Sequence, residues 1–269
     1  MDALRESRGV PSWNPLSLVF ASLLAAPAAA QRFEADLCEP VTVETRSIAG
    51  VRVERVAGDP ATIEFESGMA IDADGALRAY HPDDTGLDRV AHAGAPGNWW
   101  ALATDDATPS GTPLVQGPGD PAPGYFVSTT SLYDPSRAYT DPRRYVDSES
   151  VPYVALPAPF TEKLGCRLGD LAWVERTSLD GAVQRSAAIF ADVAPPSAPL
   201  GEGSIALAER LGVPSDPRSG GTFRVSVKYV VFCGSGTPAW PRAIADIEAE
   251  AARLERARLA REARSCPRR

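Results

Sequence analysis

The chain has 269 residues, of which 44% are hydrophobic and 23% charged, a balance typical of a folded protein with a substantial core and not of a disordered chain. Its net charge is −8 at pH 7. An acidic surface repels phosphates, so the charge argues against nucleic acid as a partner and favours a cationic partner or substrate. The alternative is that the charge only keeps the protein soluble.

The N-terminus has the pattern of an export signal spanning residues 1–30. Arg5 and Arg8 form a basic region, residues 16–26 are apolar, and three alanines form a small-residue cleavage site before Gln31. The apolar run is too short to span a bilayer, and we expect no other membrane segment. We therefore predict a mature chain that begins near Gln31 and is secreted or periplasmic; a buried N-terminal helix is the alternative.

Most of the predicted secondary structure is β. In TFRVSVKYVVF (222–232) apolar and polar side chains alternate, which is the pattern of a strand with one buried face. Similar short runs between turn-forming glycines and prolines occur at 41–48, 51–56, 61–66, 99–104, 125–130, 152–157, 171–177 and 186–193. So many short strands predict an all-β barrel or sandwich.

The stretch Asp72–Gly75 has alternating aspartates before a glycine, a pattern that can begin a calcium-binding loop. The other ligands of such a loop are missing, and the segments 69–71 and 77–80 flank the stretch as two strands would. We therefore interpret it as a hairpin turn. A zinc site is not predicted, because the two histidines, His81 and His92, are not near a cysteine pair.

The stretch IFADVAPPSAPLGEGS (189–204) places an acid on each side of a proline-rich loop: Asp192 follows an apolar run, and Glu202 lies between two glycines. If the two acids act together, we expect the prolines to fix the distance between them and the glycines to let a substrate approach the backbone. The alternative is that Glu202 and Ser204 only cap the helix that follows.

Two helices are predicted. The first is IALAERLG (205–212), which Gly212 ends. The second has Pro241 in its first turn and an apolar face that ends at Leu254. We interpret residues 240–269 as an amphipathic C-terminal helix, docked through its first half and followed by a solvated Arg-rich tail.

Four cysteines, an even number in a predicted exported protein, indicate two disulfides: Cys38, Cys166, Cys233 and Cys266. Every pairing remains open. The sequence lacks a G-x-S-x-G elbow, a phosphate-binding loop, a dinucleotide fingerprint and an H-E-x-x-H motif. No cofactor is implied, and an enzyme with this sequence would use carboxylates.

The segment 189–221 resembles the signature of the fungal chitosanases, glycoside hydrolase family 75, in which an F-A-D-V-G-P segment and a following G-E-G-S supply the essential Asp and Glu. Further stretches resemble the family in the same order: 71–88, the AG-PGNWW segment ending at Trp100, 116–132 and 140–157. The resemblance covers most of a predicted catalytic domain at residues 31–239.

The resemblance implies that Asp192 and Glu202 are the catalytic pair of an inverting, endo-acting hydrolase of β-1,4-linked glucosamine polymers. Glu has the higher reference pKa and the longer reach, which favours Glu202 as the acid and Asp192 as the base. The reverse assignment is the alternative, because the position of Glu202 just before a helix N-terminus stabilises its ionised form. Two departures lie between the acids: Ala194 replaces a glycine, and the loop 195–200 is one residue longer.

Chitosan carries an ammonium group on each ring, so carboxylates and aromatic faces are expected along its cleft. We assign substrate binding to acidic and aromatic residues of the family-like loops: Asp83, Asp84, Trp99, Trp100, Tyr125, Asp141, Tyr145 and Asp147. The alternative is that the tryptophans belong to the core and the aspartates start turns.

The order of strand, D-x-x-P loop, acid, serine and short helix also resembles the core of double-psi β-barrels, which include lytic transglycosylases and some cellulases. The predicted fold is therefore an all-β, double-psi-like barrel with short helices, monomeric and without a membrane partner after signal removal. Two alternative functions are a peptidoglycan-cleaving lytic enzyme on a related barrel and a non-catalytic glycan-binding module.

Overall fold

The computed structural model describes residues 42–195 and 198–265. The predicted signal segment, the predicted start at Gln31 and two of the cysteines, Cys38 and Cys266, lie outside these residues. Pro196, in the loop between the two predicted catalytic acids, also lies outside them.

The described chain is mostly β. Its strands are β1 (Thr42–Ile48), β2 (Val51–Val56), β3 (Thr62–Asp72), β4 (Gly94–Ala95), β5 (Asn98–Trp99), β6 (Tyr153–Pro157), β7 (Leu171–Thr177), β8 (Val183–Ala194), β9 (Glu202–Ser204) and β10 (Thr222–Phe232). Its α-helices are α1 (Pro159–Glu162), α2 (Ile205–Arg210) and α3 (Ile244–Ser265), and one-turn 3-10 helices lie at Val90–His92 and Pro142–Arg144.

Six strands close into a barrel. They pair in the order β3, β10, β7, β8, β6, β9, and β9 pairs back with β3. The first half of β3 pairs with β2, which leads to β1, and its second half pairs with β9. The β3/β9 and β6/β8 contacts are parallel, and the other contacts in the ring are antiparallel. The prediction of a closed β-barrel is thereby confirmed.

Strand β8 is buried on both faces, which explains its unbroken apolar run. Phe190 belongs to the main core cluster together with Phe65 of β3. The preceding residue, Ile189, belongs to a second cluster with Ile247 of α3. Alternate side chains of a strand point to opposite faces, so β8 packs the barrel core on one side and the C-terminal helix on the other.

The segments 99–104 and 125–130, predicted as strands, form isolated bridges instead, apart from the end of β5. Ala103 N–H donates to the Val127 carbonyl, Val127 N–H donates to the Leu114 carbonyl, and Leu114 N–H donates to the Ala103 carbonyl. Because three short segments share their backbone hydrogen bonds in a cycle, no two of them build a continuous ladder.

Two other strand predictions are also wrong in detail. Residues 77–80 make successive turns, so the stretch after Asp72 is not a hairpin. In β10, Thr222 pairs with Met69 and Val227 with Ser67, so the residues between them bulge away from β3. Their apolar side chains, including Phe223, are therefore exposed and not buried as the alternation predicts.

Helix α2 begins at the predicted residue and ends at Arg210, two residues before the predicted stop at Gly212. The Ser204 hydroxyl accepts a hydrogen bond from Leu207 N–H at 3.1 Å, which caps the first turn. Gly212 follows the helix with φ +64°, a conformation that glycine adopts without strain. Serine and glycine therefore fix the limits of a helix of only a few residues.

Helix α3 stays docked beyond Leu254, so the predicted solvated arm is wrong for this part of the helix. Arg258 is 6% exposed and pairs with Glu64 of β3, Glu255 and Glu262 at 2.6–3.2 Å. These acids accept its guanidinium hydrogen bonds and stabilise a charge that would be costly to bury alone. Arg258, which interrupts the apolar face of the helix, thus continues the contact between α3 and the barrel through ion pairs.

Among the residues that the structure describes, a disulfide joins Cys166 and Cys233, which are separated by 67 residues. It connects the segment between α1 and β7 to the residue that follows β10. Within the described residues, no helix is both long and apolar enough to cross a bilayer.

Candidate active site

A cleft of about 1440 Å³ opens where β3 and β8 end and β9 begins. Five carboxylates line it: Asp72, Asp74, Asp88, Asp192 and Glu202. Two arginines, Arg144 and Arg218, face the same space. Acids outnumber the permanent cations among the lining residues, so the cleft attracts positive charge to the extent that these acids are ionised.

Asp192 is positioned by a bulge in β8. Val154 of β6 pairs with Phe190, whereas the next residue of β6 pairs with Asp192, so Ala191 is the extra residue. The freed Ala191 carbonyl accepts a hydrogen bond from Leu132 N–H at 2.8 Å. The bulge therefore ties the 128–132 loop to the strand and aims the next side chain at the cleft.

The same loop holds the Asp192 carboxylate. Ser131 donates to Oδ1 of Asp192 from its backbone N–H at 2.8 Å and from its hydroxyl at 2.6 Å. The serine Oγ in turn accepts a hydrogen bond from Val193 N–H at 3.1 Å. Both donors favour the ionised form of the carboxylate.

Glu202 is the first residue of β9, which inserts between β3 and β6. Two carbonyls just before it are fixed to β3: Ser67 Oγ donates to Leu200 O at 2.5 Å, and Ala70 N–H donates to Gly201 O at 2.9 Å. These bonds hold the end of the proline-rich loop and so the position of the Glu202 backbone.

Gly201 has φ +104°, and a Cβ atom there would lie 2.5 Å from the Gly68 carbonyl oxygen. Glycine is therefore required here for the close approach to β3. Ala194, where the family motif has a glycine, fits the strand without change, because it is the last residue of β8 and pairs in register with Pro157.

Asp192 and Glu202 are both register partners of Ala155, one on each side of β6. Neighbouring strands lie about 4.8 Å apart, so the two Cα atoms are roughly 10 Å apart across β6, less the shortening by barrel curvature. Two acids that flank the proline-rich loop in sequence are thus separated in space by one strand.

Burial raises the pKa of Glu202 to about 7, with smaller contributions from the Asp192 and Asp88 carboxylates. Burial also raises the pKa of Asp192, but the hydrogen bonds from Ser131 and from Val193 N–H act in the opposite direction. Glu202 therefore keeps its proton up to about pH 7, whereas Asp192 has donors that stabilise its ionised form.

Asp72 and Asp74 are functional candidates that the hairpin interpretation missed. Their carboxylates and that of Asp192 lie within 4.8 Å of one another. Tyr80 donates to Asp74 Oδ1 at 2.6 Å. Burial, and then the neighbouring carboxylates, hold the pKa of both aspartates well above its usual range. The spacing suits a cation, but a raised pKa disfavours the ionised form that binds a metal, and we assign no metal here.

Three of the eight predicted substrate-binding residues line the cleft: Trp99, Trp100 and Tyr145. The structure does not bring the other five to it: Asp83, Asp84, Tyr125, Asp141 and Asp147. Tyr125 packs edge-on against His81, with ring centroids 4.9 Å apart.

Several of the aspartates outside the cleft organise the backbone. Asp84, Asp141 and Asp147 each accept a hydrogen bond from the backbone N–H of a following residue, at 2.8–3.0 Å. This is the turn-starting behaviour that formed the alternative interpretation of these residues. Asp83 is the most exposed of the group, with 84% of its side chain accessible.

Sequence reasoning also missed a cation–aromatic pair and an Asp–His pair in the cleft walls. The Arg144 guanidinium lies 3.9 Å from the ring centre of Tyr133. His92 Nδ1 lies 2.8 Å from Asp88 Oδ1. The spacing of four residues between Asp88 and His92 is a signal visible in the sequence, although it is common by chance.

No family model and no curated protein matches this sequence. The function proposed below therefore depends on the geometry of the cleft and on the resemblance of the motifs that build it.

Proposed function

We propose that this chain is a secreted inverting glycoside hydrolase that cleaves β-1,4 linkages between glucosamine units of chitosan, with Glu202 as the acid and Asp192 as the base. One observation carries the proposal. The two acids of the family-like motif lie on β9 and β8, on opposite sides of β6, and both line the large acidic cleft.

Their separation suits inversion. An inverting hydrolase needs about 6.5–9.5 Å between its carboxyl groups, because a water molecule must fit between the base and the sugar. A Cα separation of roughly 10 Å across one intervening strand, with both side chains in one cleft, is compatible with that range.

The protonation states also suit the two roles. Glu202, with its pKa raised to about 7, carries the proton that passes to the glycosidic oxygen as the bond to the anomeric carbon breaks. Asp192, stabilised as a carboxylate by Ser131, accepts a proton from the water that attacks the opposite face of the sugar. One water is consumed, and the pair ends with the proton on Asp192.

The substrate class follows from charge and aromatic surface. Glucosamine units are cationic, and the carboxylate-rich cleft would attract them more strongly than neutral or anionic glycans. Trp100, which is 50% exposed in the cleft, offers an apolar face for a sugar ring. Acidic walls and an exposed indole together favour chitosan over a peptidoglycan strand.

We further propose that the barrel is of the double-psi type and that the chain is exported. Two parallel strand pairs, β3/β9 and β6/β8, inside a closed six-stranded ring support the first proposal. The disulfide between Cys166 and Cys233 supports the second, since such bonds persist in oxidising compartments.

The test is release of reducing ends from chitosan by the full chain, produced in an exporting host and sequenced at its N-terminus. We expect activity on chitosan, little on fully acetylated chitin or peptidoglycan, and an inverted anomer as the first product by NMR. Glu202→Gln and Asp192→Asn should each reduce kcat by a factor of about 10² to 10⁴.

Matched controls are Glu209→Gln, on the exposed face of α2, and Asp180→Asn, in an exposed turn, which should keep full activity. A folded wild-type chain without activity on chitosan would overturn the proposal. Retention of the anomeric configuration would overturn the inverting mechanism while leaving the substrate class intact.

A further inference from the structure

The wall of the cleft contains an Asp–His pair that the catalytic mechanism does not use. Both carboxylate oxygens of Asp88 lie 2.8–2.9 Å from Nδ1 of His92. The Asp88 side chain is 4% exposed, whereas that of His92 is 52% exposed and lines the cleft. A buried carboxylate thus orients an imidazole ring whose other edge is open.

This contact defines the hydrogen-bonding character of the ring. A carboxylate at Nδ1 requires the N–H on that nitrogen, so in the neutral ring Nε2 is an acceptor. Within the part of the chain that the structure describes, no hydrogen bond to His92 Nε2 occurs. The ring therefore presents a fixed acceptor to whatever occupies the cleft.

The backbone around the pair is held in place. Asp88 Oδ1 also accepts a hydrogen bond from Arg89 N–H at 2.7 Å, and the Asp88 carbonyl accepts one from Arg218 at 3.1 Å. Asp84 binds Val90 N–H at 2.8 Å, at the start of the one-turn helix that ends at His92. The ring is thus positioned before any ligand arrives, which limits the entropy lost on binding.

Trp100 is anchored to the same turn. Its indole Nε1–H donates to the His92 carbonyl at 3.0 Å, and its backbone N–H donates to Ala93 O at 3.1 Å. The polar atom of the indole is therefore already satisfied, and the ring, half exposed in the cleft, offers only its apolar surface. A flat apolar face beside a fixed acceptor suits a sugar ring.

We propose that His92 and Trp100, with Asp88 as a positioning residue, form a glucosamine-binding subsite in the wall of this cleft. One sugar ring stacks its C–H face on the Trp100 indole and donates a hydrogen bond from a hydroxyl or ammonium group to His92 Nε2. This inference depends on the proposed function for its substrate class.

The test uses the fact that the chain has two histidines, so that His81 is an internal control. His81 packs against Tyr125 and does not line the cleft. Isotope-labelled Glu202→Gln protein is titrated with a glucosamine tetramer while the imidazole resonances are recorded by NMR. We expect a saturable shift of the His92 signals and none for His81.

The kinetic constants of single variants that keep Glu202 give a second measurement. His92→Ala and Trp100→Ala should each raise KM for oligomers about tenfold with kcat changed less than about threefold, as expected for one lost contact. His81→Ala should leave both constants unchanged. Asp88→Asn should move the ring proton to Nε2, visible in the ¹⁵N shifts of His92, and raise KM in a protein that stays folded.

The outcomes separate the subsite from the function. Active enzyme with unchanged KM in both His92→Ala and Trp100→Ala, or saturation by the tetramer without a His92 shift, would overturn the subsite and leave the hydrolase proposal standing. Selective His92 shifts in a protein that releases no reducing ends would support the subsite and overturn the hydrolase. A protein that does not bind the tetramer at all would overturn both.

Discussion

Removal of the Ser131 hydroxyl should shift one limb of the pH–rate profile and leave the other in place. In Ser131→Ala the Asp192 carboxylate loses a donor at 2.6 Å but keeps the backbone N–H at 2.8 Å. Both hydrogen bonds favour the ionised carboxylate, so the loss of one raises the pKa of Asp192.

The size of the shift follows from the energy of one charge-assisted hydrogen bond. Such a bond contributes about 1.5–3 kcal/mol, and one pKa unit corresponds to about 1.4 kcal/mol. Because the backbone donor remains, we expect the lower end of this range, a rise of about one unit. If Asp192 is the base and must be ionised, the acidic limb moves upward by about one pH unit.

The assay is kcat/KM on a glucosamine oligomer as a function of pH for wild type and Ser131→Ala. The basic limb, which reports Glu202 with its pKa of about 7, should stay where it is, so the active pH range narrows. The matched control is Ser136→Ala, because Ser136 donates to Asp134 with the same pair of atoms at 2.7 and 2.9 Å and lies outside the cleft. If the basic limb moves and the acidic limb does not, the acid and base assignments are reversed.

Three further predictions concern stability and substrate charge. Arg258→Met should lower the free energy of unfolding by about 3–5 kcal/mol in urea titrations, because its buried glutamate partners lose their counter-charge. The exposed neighbour Arg256→Met should change it by less than about 0.5 kcal/mol, and equal effects would contradict the ion-pair account. Gly201→Ala should cost about 1–3 kcal/mol and reduce kcat, since its Cβ would meet the carbonyl of β3, whereas Gly181→Ala, at φ +84° with open space, should cost stability alone. Raising the ionic strength from about 0.05 to 1 M should increase KM for glucosamine oligomers; the acidic-cleft argument fails if KM is insensitive to salt.

The sequence determined the elements whose signals are local. Alternation of apolar and polar residues located most barrel strands, since each strand must bury a face. Ser204 and Gly212 set the limits of α2 through a cap and a left-handed residue. Asp192 and Glu202 were found together because they lie in one short motif, and the structure shows that only Ser204 caps the helix while Glu202 lines the cleft.

Only the tertiary structure decided which other residues join them. Asp72 and Asp74 come from the end of β3, and the closure of the barrel through β9 places them beside Asp192. Ser131 reaches Asp192 because a bulge in β8 frees a carbonyl for the neighbouring loop. Long-range register, bulges and burial depend on the whole fold. The local pattern around Asp72 and Asp74 therefore predicted only an acidic turn, whereas in the folded chain these residues line a cleft with Asp192.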